Sequence, residues 1–459
     1  MIAEKETPES GQRHLYKPLL KETVWLGHPI VKLADAIDWD SFHDGMILAF
    51  SVDKGRTSLP VRLMVGLHYL KYAYDLSDEE VLEQWLQNPY WQYLTGGEYF
   101  EHELPVNSSS MTRWRKYLKK TGAKKMLEES IKTGLRKKFI KRTELKCVNV
   151  DTTVQEKNIR FPTDARLYNR IREKLVKAAE KHGIELRQSY KRVGPRALRK
   201  QSGYARARQM RRARRQTVKL RTYLGRVIRD IERKMKYSDA QLAELLQRGK
   251  RLLAQEKSDK NKLYSVHEPH VECIAKGKAH KKYEFGCKVG FVTSSKTNWI
   301  LGALAFHGNP YDGHTLESAL EQAASISGVA PERAICDLGY RGHKYGGSCD
   351  IQVVNRYLKK IAESLRKVWK RRSAIEPVIG HVKEEHRLDR NRLKGIDGDE
   401  LNVILAAAGF NFRKLLRAFA LFFVFVFKSC FKTWDCGKNQ VCNDFKPIAI
   451  PLLLAFHSK

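Results

Sequence analysis

Three acids in separate parts of the chain carry the chemistry this sequence could do. Asp151 ends an apolar, alternating run from Leu145, Asp337 ends a second short apolar run from Arg333, and Glu376 follows the second acid by 39 residues in a helical stretch. Carboxylates brought together repel one another unless a cation neutralises them. A pair of Mg2+ ions about 3.5–4 Å apart, held by such a cluster, can activate a nucleophile and stabilise the leaving oxygen in phosphodiester cleavage. Around Glu376, the residues Trp369, Arg372, Glu376 and Lys383 stand at relative positions 0, 3, 7 and 14. At about 100° per residue they share a helical stripe about 60° wide, so a ring, a guanidinium, a carboxylate and an ammonium lie on one face. A helix facing a core would carry Leu or Val there, whereas metal-bound DNA cleavage calls for an acid flanked by phosphate clamps and a stacking ring. The alternative is a solvated ion-pair face, because this helix is rich in Lys and Arg throughout.

These residues resemble the DDE transposases of bacterial insertion sequences, in particular the insertion-sequence-five group within the families sharing the Y-x2-R-x3-E-x6-K signature. Here the signature reads Trp369-x2-Arg372-x3-Glu376-x6-Lys383, with Trp for Tyr, which keeps the ring and loses the phenolic hydroxyl. The first acid sits in the run Val148 to Ile159, followed by Pro162-Thr163-Asp164-Ala165. The second sits in Asp337-Leu338-Gly339-Tyr340-Arg341-Gly342, and the stretch from Val266 through His280 to Lys288 is similar as well. The resemblance implies an RNase H-like catalytic domain in which Asp151, Asp337 and Glu376 are catalytic and hold two Mg2+ ions, with Mn2+ as a substitute. Activated water would nick the element's end, and the freed 3′-hydroxyl would attack target DNA. By the same resemblance Arg372 and Lys383 hold phosphates, Trp369 lies beside the DNA, and Arg341 adds a further contact.

The elements that must position these residues follow from the hydrophobic pattern. From Leu59 to Leu118 apolar residues recur at helical spacing, with Ser77 and Glu80 in capping-box positions. A basic helix bearing Trp114 follows the turn at 105–110, and Trp114 is one candidate for DNA contact, with a solvated surface helix as the alternative. Strand-like runs at 283–292 and 299–306 form a hairpin, and a helix at 316–327 precedes the strand at 333–337. Together these give an α/β fold class: an RNase H-like mixed sheet flanked by helices, with a mainly helical N-terminal domain and a basic helical insertion. The expected domains are 1–140 for DNA binding and assembly, 141–415 for catalysis with the insertion at about 165–260, and a tail at 416–459. Between Leu186 and Met235 stand 18 Lys or Arg and only Asp230 and Glu232 as acids. Such a block calls for a DNA-backbone grip, with Arg211, Arg212, Arg214 and Arg215 as contacts, or else a solvated or disordered arm.

Composition sets the outer limits. In 459 residues, 86 Lys and Arg face 51 Asp and Glu, for a net charge of +35, which points to double-stranded DNA as the partner. Hydrophobic residues at 42% exclude a disordered chain. The start, Met1 to Ser10, has no export pattern, so a reducing bacterial cytoplasm, in association with the nucleoid, is expected, with the eight cysteines as thiols. The run Ala418 to Phe427 is ten residues, short of the roughly 20 that span a membrane. Cys430, Cys436 and Cys442 lack paired zinc spacing, and His280, His307, His314, His343 and His381 form no His-x3-His pair, so none is read as a ligand. Glu284 and Asp312 are second-rank acids beside the expected sheet. Two further functions stay open: a metal-dependent nuclease without strand transfer, and a catalytically decayed copy that only binds DNA. Joining two element ends implies a homodimer or larger assembly in the DNA complex.

Overall fold

The computed structural model describes residues 17–46, 58–235, 239–256, 258–275, 282–355 and 363–435. Met1 to Ser10, His280, and the end of the expected tail at 436–459 with Cys436 and Cys442 lie outside them. The chain begins with α1 (Leu20–Thr23), α2 (Pro29–Ala34), α3 (Trp39–Met46), α4 (Val61–Ala73), α5 (Asp78–Gln87), α6 (Pro89–Leu94) and α7 (Ser108–Arg136). The expected capping box opens α5: the Ser77 hydroxyl accepts the Glu80 N–H at 3.1 Å, and the Glu80 carboxylate accepts the Ser77 N–H at 2.7 Å. Helix α7 turns Trp114 inward. That ring is 3% exposed and lies 5.1 Å from the His68 imidazole of α4, so Trp114 is a core residue and not the expected DNA contact. The side chains α7 shows to solvent near it are Arg113, Lys116 and Tyr117.

The sheet starts with β1 (Cys147–Lys157), after which the insertion folds as α8 (Asp164–Lys181), α9 (Val193–Arg206), α10 (Met210–Lys234) and α11 (Ala240–Ala254). The chain continues as β2 (Glu272–Ala275), β3 (Tyr283–Ser294), β4 (Ile300–Phe306), α12 (Leu316–Ser327), β5 (Arg333–Cys336), β6 (Asp350–Val353), α13 (Glu363–Lys370), α14 (Ile375–Glu385), β7 (Arg390–Asn391) and α15 (Gly395–Asp435). β1 is central. β3 pairs antiparallel on one side, with Asp151 opposite Phe291, and β5 pairs parallel on the other and carries β6 beyond it. β4 and β2 line the far edge of β3, and β7 joins the end of β1. The hairpin of β3 and β4 and the helix α12 stand where the sequence pattern places them.

β1 runs six residues beyond Asp151, so this acid sits in mid-strand and not at the strand's tip. The polar residues after it are buried and paired instead of solvated. Lys157 Nζ donates to Asp399 Oδ1 at 2.8 Å, Gln155 Nε2 donates to the Asp399 carbonyl at 3.1 Å, and Asn402 Nδ2 donates to Gln155 Oε1 at 2.9 Å. The Tyr72 hydroxyl closes the chain by donating to Asn402 Oδ1 at 3.0 Å. This network fastens α15 and α4 to the central strand. Gly286 permits the close approach of β3 to β1, because a Cβ there would lie 1.8 Å from the Gln155 carbonyl oxygen.

One apolar core runs from Leu33 and Tyr69 through Val150, Phe291 and Val382 to Phe412, so the N-terminal helices and the sheet share it. The insertion has a core of its own, built on Ile171, Leu175, Leu224, Ile228 and Leu246. α15 crosses the expected boundary at 415/416 without a break, with Leu416 and Phe419 buried. No helix among the described residues is long and apolar enough to cross a membrane. Cys147, Cys273, Cys287, Cys336 and Cys349 are free thiols.

Asp78 of α5 joins three N-terminal helices, lying 2.6 Å from Lys71 Nζ of α4 and 2.5 Å from Arg115 Nη2 of α7. Burial alone would raise its carboxyl, but the Arg115 hydrogen bonds and the charges of Lys71 and Arg115 outweigh it and hold the group below the usual range. Lys71 moves the other way, down to about 8, because burial and the Arg115 charge exceed its gain from Asp78; the Arg115–Asp78 fork is therefore the anchoring half. A carboxyl depressed by folding adds stability that is complete above the ordinary aspartate value near pH 4 and fades as pH falls toward the folded value. Asp78→Asn leaves two buried cations unpaired and should lower stability by about 3–5 kcal/mol, read as a lower urea midpoint, and should flatten the acid limb of stability against pH.

Candidate active site

The three acids arrive from three elements. Asp151 Oδ1 accepts the N–H of Thr152 at 2.8 Å, which leaves Oδ2 facing away from the strand. Parallel pairing of Asn149 with Ile335 sets the end of β5 alongside. Asp337 directly follows β5 and caps a single 3-10 turn, Leu338–Tyr340, with Oδ1 accepting the Gly339 N–H at 2.9 Å. Glu376 sits in the first turn of α14. All three converge on one guanidinium: Arg372 Nη2 lies 3.0 Å from Asp151 Oδ2 and 3.4 Å from Asp337 Oδ2, and Nη1 lies 2.8 Å from Glu376 Oε1. Arg372 is 8% exposed, while the acid side chains open from 14% for Asp151 through 37% for Asp337 to 54% for Glu376.

The helix expected to run from Trp369 to Lys383 is broken. α13 stops at Lys370, a 3-10 turn spans Arg371–Ala374, and α14 begins at Ile375. Pro377 is the reason: a continuous α-helix needs an N–H there to reach the Ser373 carbonyl, and the proline ring clashes with that carbonyl. Within the first turn of α14 the same proline is tolerated. The break is anchored to the sheet, since Asn149 Nδ2 donates to the Arg371 carbonyl at 3.0 Å and Arg371 donates to the carbonyls of Ser295 and Lys296 at 3.0 and 2.8 Å. The four residues therefore do not form one continuous stripe. Arg372 is drawn inward among the acids, where the sequence pattern makes it an outward phosphate clamp. Trp369 and Lys383 are half-buried on their separate helices, and Arg341 is exposed in the loop after Asp337.

Asp312 stands next to this cluster. It opens the 3-10 turn Asp312–Thr315 ahead of α12, and its Oδ1 accepts Thr152 Oγ1 and Lys288 Nζ, each at 2.9 Å. A Cβ on Gly339 would lie 3.0 Å from both Asp312 Oδ2 and Asp337 Oδ1, so the missing side chain leaves room for both carboxylates beside it. Asp312 thus has its own lysine counter-charge, whereas Asp151, Asp337 and Glu376 share one arginine. Oxygen-only donors from three elements, two of them partly open, suit a hard divalent cation. Burial, then Asp337 and Asp151, push the nearby Cys336 thiol up, so it keeps its proton.

The insertion presents its charge outward. Arg211, Arg212, Arg214 and Arg215 of α10 are exposed around buried Ala213, and none forms an ion pair among the described residues. The two acids of the block are occupied: Asp230 lies 3.6 and 3.4 Å from Arg233 and Lys234, and Glu232 pairs with Lys250 at 2.5 Å.

Removing the shared cation should expose the repulsion it holds in check. Arg372→Gln is expected to lower the melting temperature in metal-free buffer and to regain most of the loss on adding millimolar Mg2+ or Mn2+, while the parent chain shifts less. Thermal melts with and without the divalent ion measure both.

Two stretches of the chain match known families. Residues 19–117 match the family described as Transposase domain (DUF772), and residues 351–416, which carry Arg372 and Glu376, match the family described as Transposase DDE domain. A protein of Rhizobium meliloti named Uncharacterized protein ORF8 in nfe locus is 46% identical over 202 residues, which are 97% of that protein and 44% of this chain. No solved structure matches the chain. The two family matches support an insertion-sequence DDE transposase.

Proposed function

We propose that this protein is a transposase of the insertion-sequence-five group that binds the ends of its own element as a dimer or larger assembly, cleaves DNA there and joins the 3′-hydroxyl ends to target DNA. The observation that carries this reading is the convergence of Asp151, Asp337 and Glu376 on Arg372. An RNase H-like catalytic core is supported by the order of the sheet, in which a long central β1 has an antiparallel neighbour β3 and a parallel neighbour β5. Asp151, Asp337 and Glu376 would hold two divalent ions, Mg2+ or Mn2+, which supply an activated nucleophile and neutralise charge on the leaving oxygen.

The protein's own groups do the rest. Asp151 and Asp337 each spend one oxygen on a backbone N–H, which fixes the direction of the other. Arg372 is a positioning residue, balancing the acids and holding Glu376 by an i,i+4 contact. Trp369, Lys383 and Arg341 are assigned to the DNA beside the cut. The exposed arginines of α10 grip the phosphate backbone, a role that supplies affinity without reading sequence.

Incubating the chain with Mg2+ and the DNA flanking its own gene should give nicks at the element boundary. Asp151→Ala, Asp337→Ala and Glu376→Ala should each abolish them while DNA binding persists, as gel shift and nucleotide-resolution mapping would read. Nicks without joined products would instead mark a nuclease, and binding without nicks in the parent chain would mark a decayed copy. Replacing Arg211, Arg212, Arg214 and Arg215 together by Ala should flatten the dependence of log affinity on log salt by up to about 3–4 units, measured by salt titration of DNA binding. An unchanged slope would remove the insertion from the DNA interface.

A further inference from the structure

A second group of donors gathers at the other end of β1. Cys287 stands on β3 opposite Gln155, His307 directly follows β4, and Asp399 lies near the start of α15. One ligand atom from each lies within 4.8 Å of the other two. Gln155 is four residues along the strand from Asp151, about 14 Å at the rise of a β-strand, so this group is separate from the three acids around Arg372.

Its polar atoms are not satisfied. Both ring nitrogens of His307 are buried and have no hydrogen-bond partner among the described residues. Glu272 of β2 accepts the Gly308 N–H through Oε1, which lies 3.8 Å from His307 Nδ1, while its Oε2 is buried with no partner among the described residues. Asp399 uses Oδ1 for Lys157 Nζ and for Asn391 Nδ2 at 2.6 Å, and neither takes Oδ2. Buried polar groups are paired in the great majority of cases, so three unpartnered atoms beside a thiol and a carboxylate call for an occupant. The charge balance gives its sign: Glu268 and Asp399 share one buried ammonium, Lys157, at 3.4 and 2.8 Å, and Glu272 adds a further carboxylate beside His307. Sulfur, imidazole and carboxylate donors select a borderline-soft divalent ion over Mg2+, which requires oxygen.

We propose that Cys287, His307 and Asp399, with Glu272 within reach as a fourth donor, form a structural Zn2+ site that pins the ends of β3 and β4 to α15. The side chains of His307 and Glu272 are 23% and 21% exposed, which gives an ion a path from solvent. On ligation the Cys287 thiol forms its bond to the ion as thiolate and releases its proton to water.

The test uses the full chain, stripped with a chelator and titrated with Zn2+ for stoichiometry and with Co2+ as a spectroscopic probe. In 10 mM Mg2+, which competes for the oxygen donors around Arg372, one Zn2+ or Co2+ per chain is expected, with a near-ultraviolet sulfur-to-cobalt absorption band. Cys287→Ser should remove that band, and His307→Asn, at a partly exposed position, should weaken Zn2+ binding by about 100-fold or more while the fold stays intact by circular dichroism. A chain with Cys430, Cys436 and Cys442 all changed to Ser should keep both the ion and the band. Absence of a bound ion, or a band that survives in Cys287→Ser and His307→Asn but vanishes in the triple-serine chain, overturns the site.

Discussion

Mutual repulsion among Asp151, Asp337 and Glu376 is the constraint around which the rest of this molecule is arranged. Three carboxylates within reach of one guanidinium carry more negative charge than it can balance, and at short range each pair costs several kcal/mol unless screened. The chain holds them there by rigidity. Asp151 is set by a strand buried on both faces, Asp337 by the strand next to it, and Glu376 by a helix whose preceding turn is tied to the sheet through Asn149 and Arg371. Arg372 lowers the strain of that gathering, and its place in the 3-10 turn follows from Pro377 cutting the helix at the one point where an inward side chain was needed.

How far the sequence could be read depended on whether the deciding partner lay nearby in the chain. The Ser77–Glu80 box, the hairpin of β3 and β4 and the helices of the insertion rest on local spacing, and they stand as read. The acids were legible through the motif around them. The angular pattern from Trp369 to Lys383 suggests one continuous helix, but the missing N–H of Pro377 outweighs it and the helix breaks. The end of β1 is hidden for a subtler reason: Gln155 and Lys157 look like solvated residues, and only α15, more than two hundred residues away, supplies the partners that bury them. Trp114 belongs with these, since its burial depends on His68, an imidazole on another helix.

The same rule explains Asp312 and the donors near Cys287. Asp312 and Asp337 both have room beside Gly339 only because it lacks a side chain, and Cys287, His307 and Asp399 come from three elements with no common spacing. Spacing along the chain marks donors that share one element, whereas donors brought together by the sheet carry no such mark.

The insertion enters between β1 and β2 yet keeps an apolar core distinct from the one that supports the acids. Selection can therefore act on its length and its exposed arginines without disturbing the scaffold that holds Asp151, Asp337 and Glu376. The two halves can therefore diverge at different rates: the charged surface of the insertion can be remodelled while the spacing of the three acids is inherited intact.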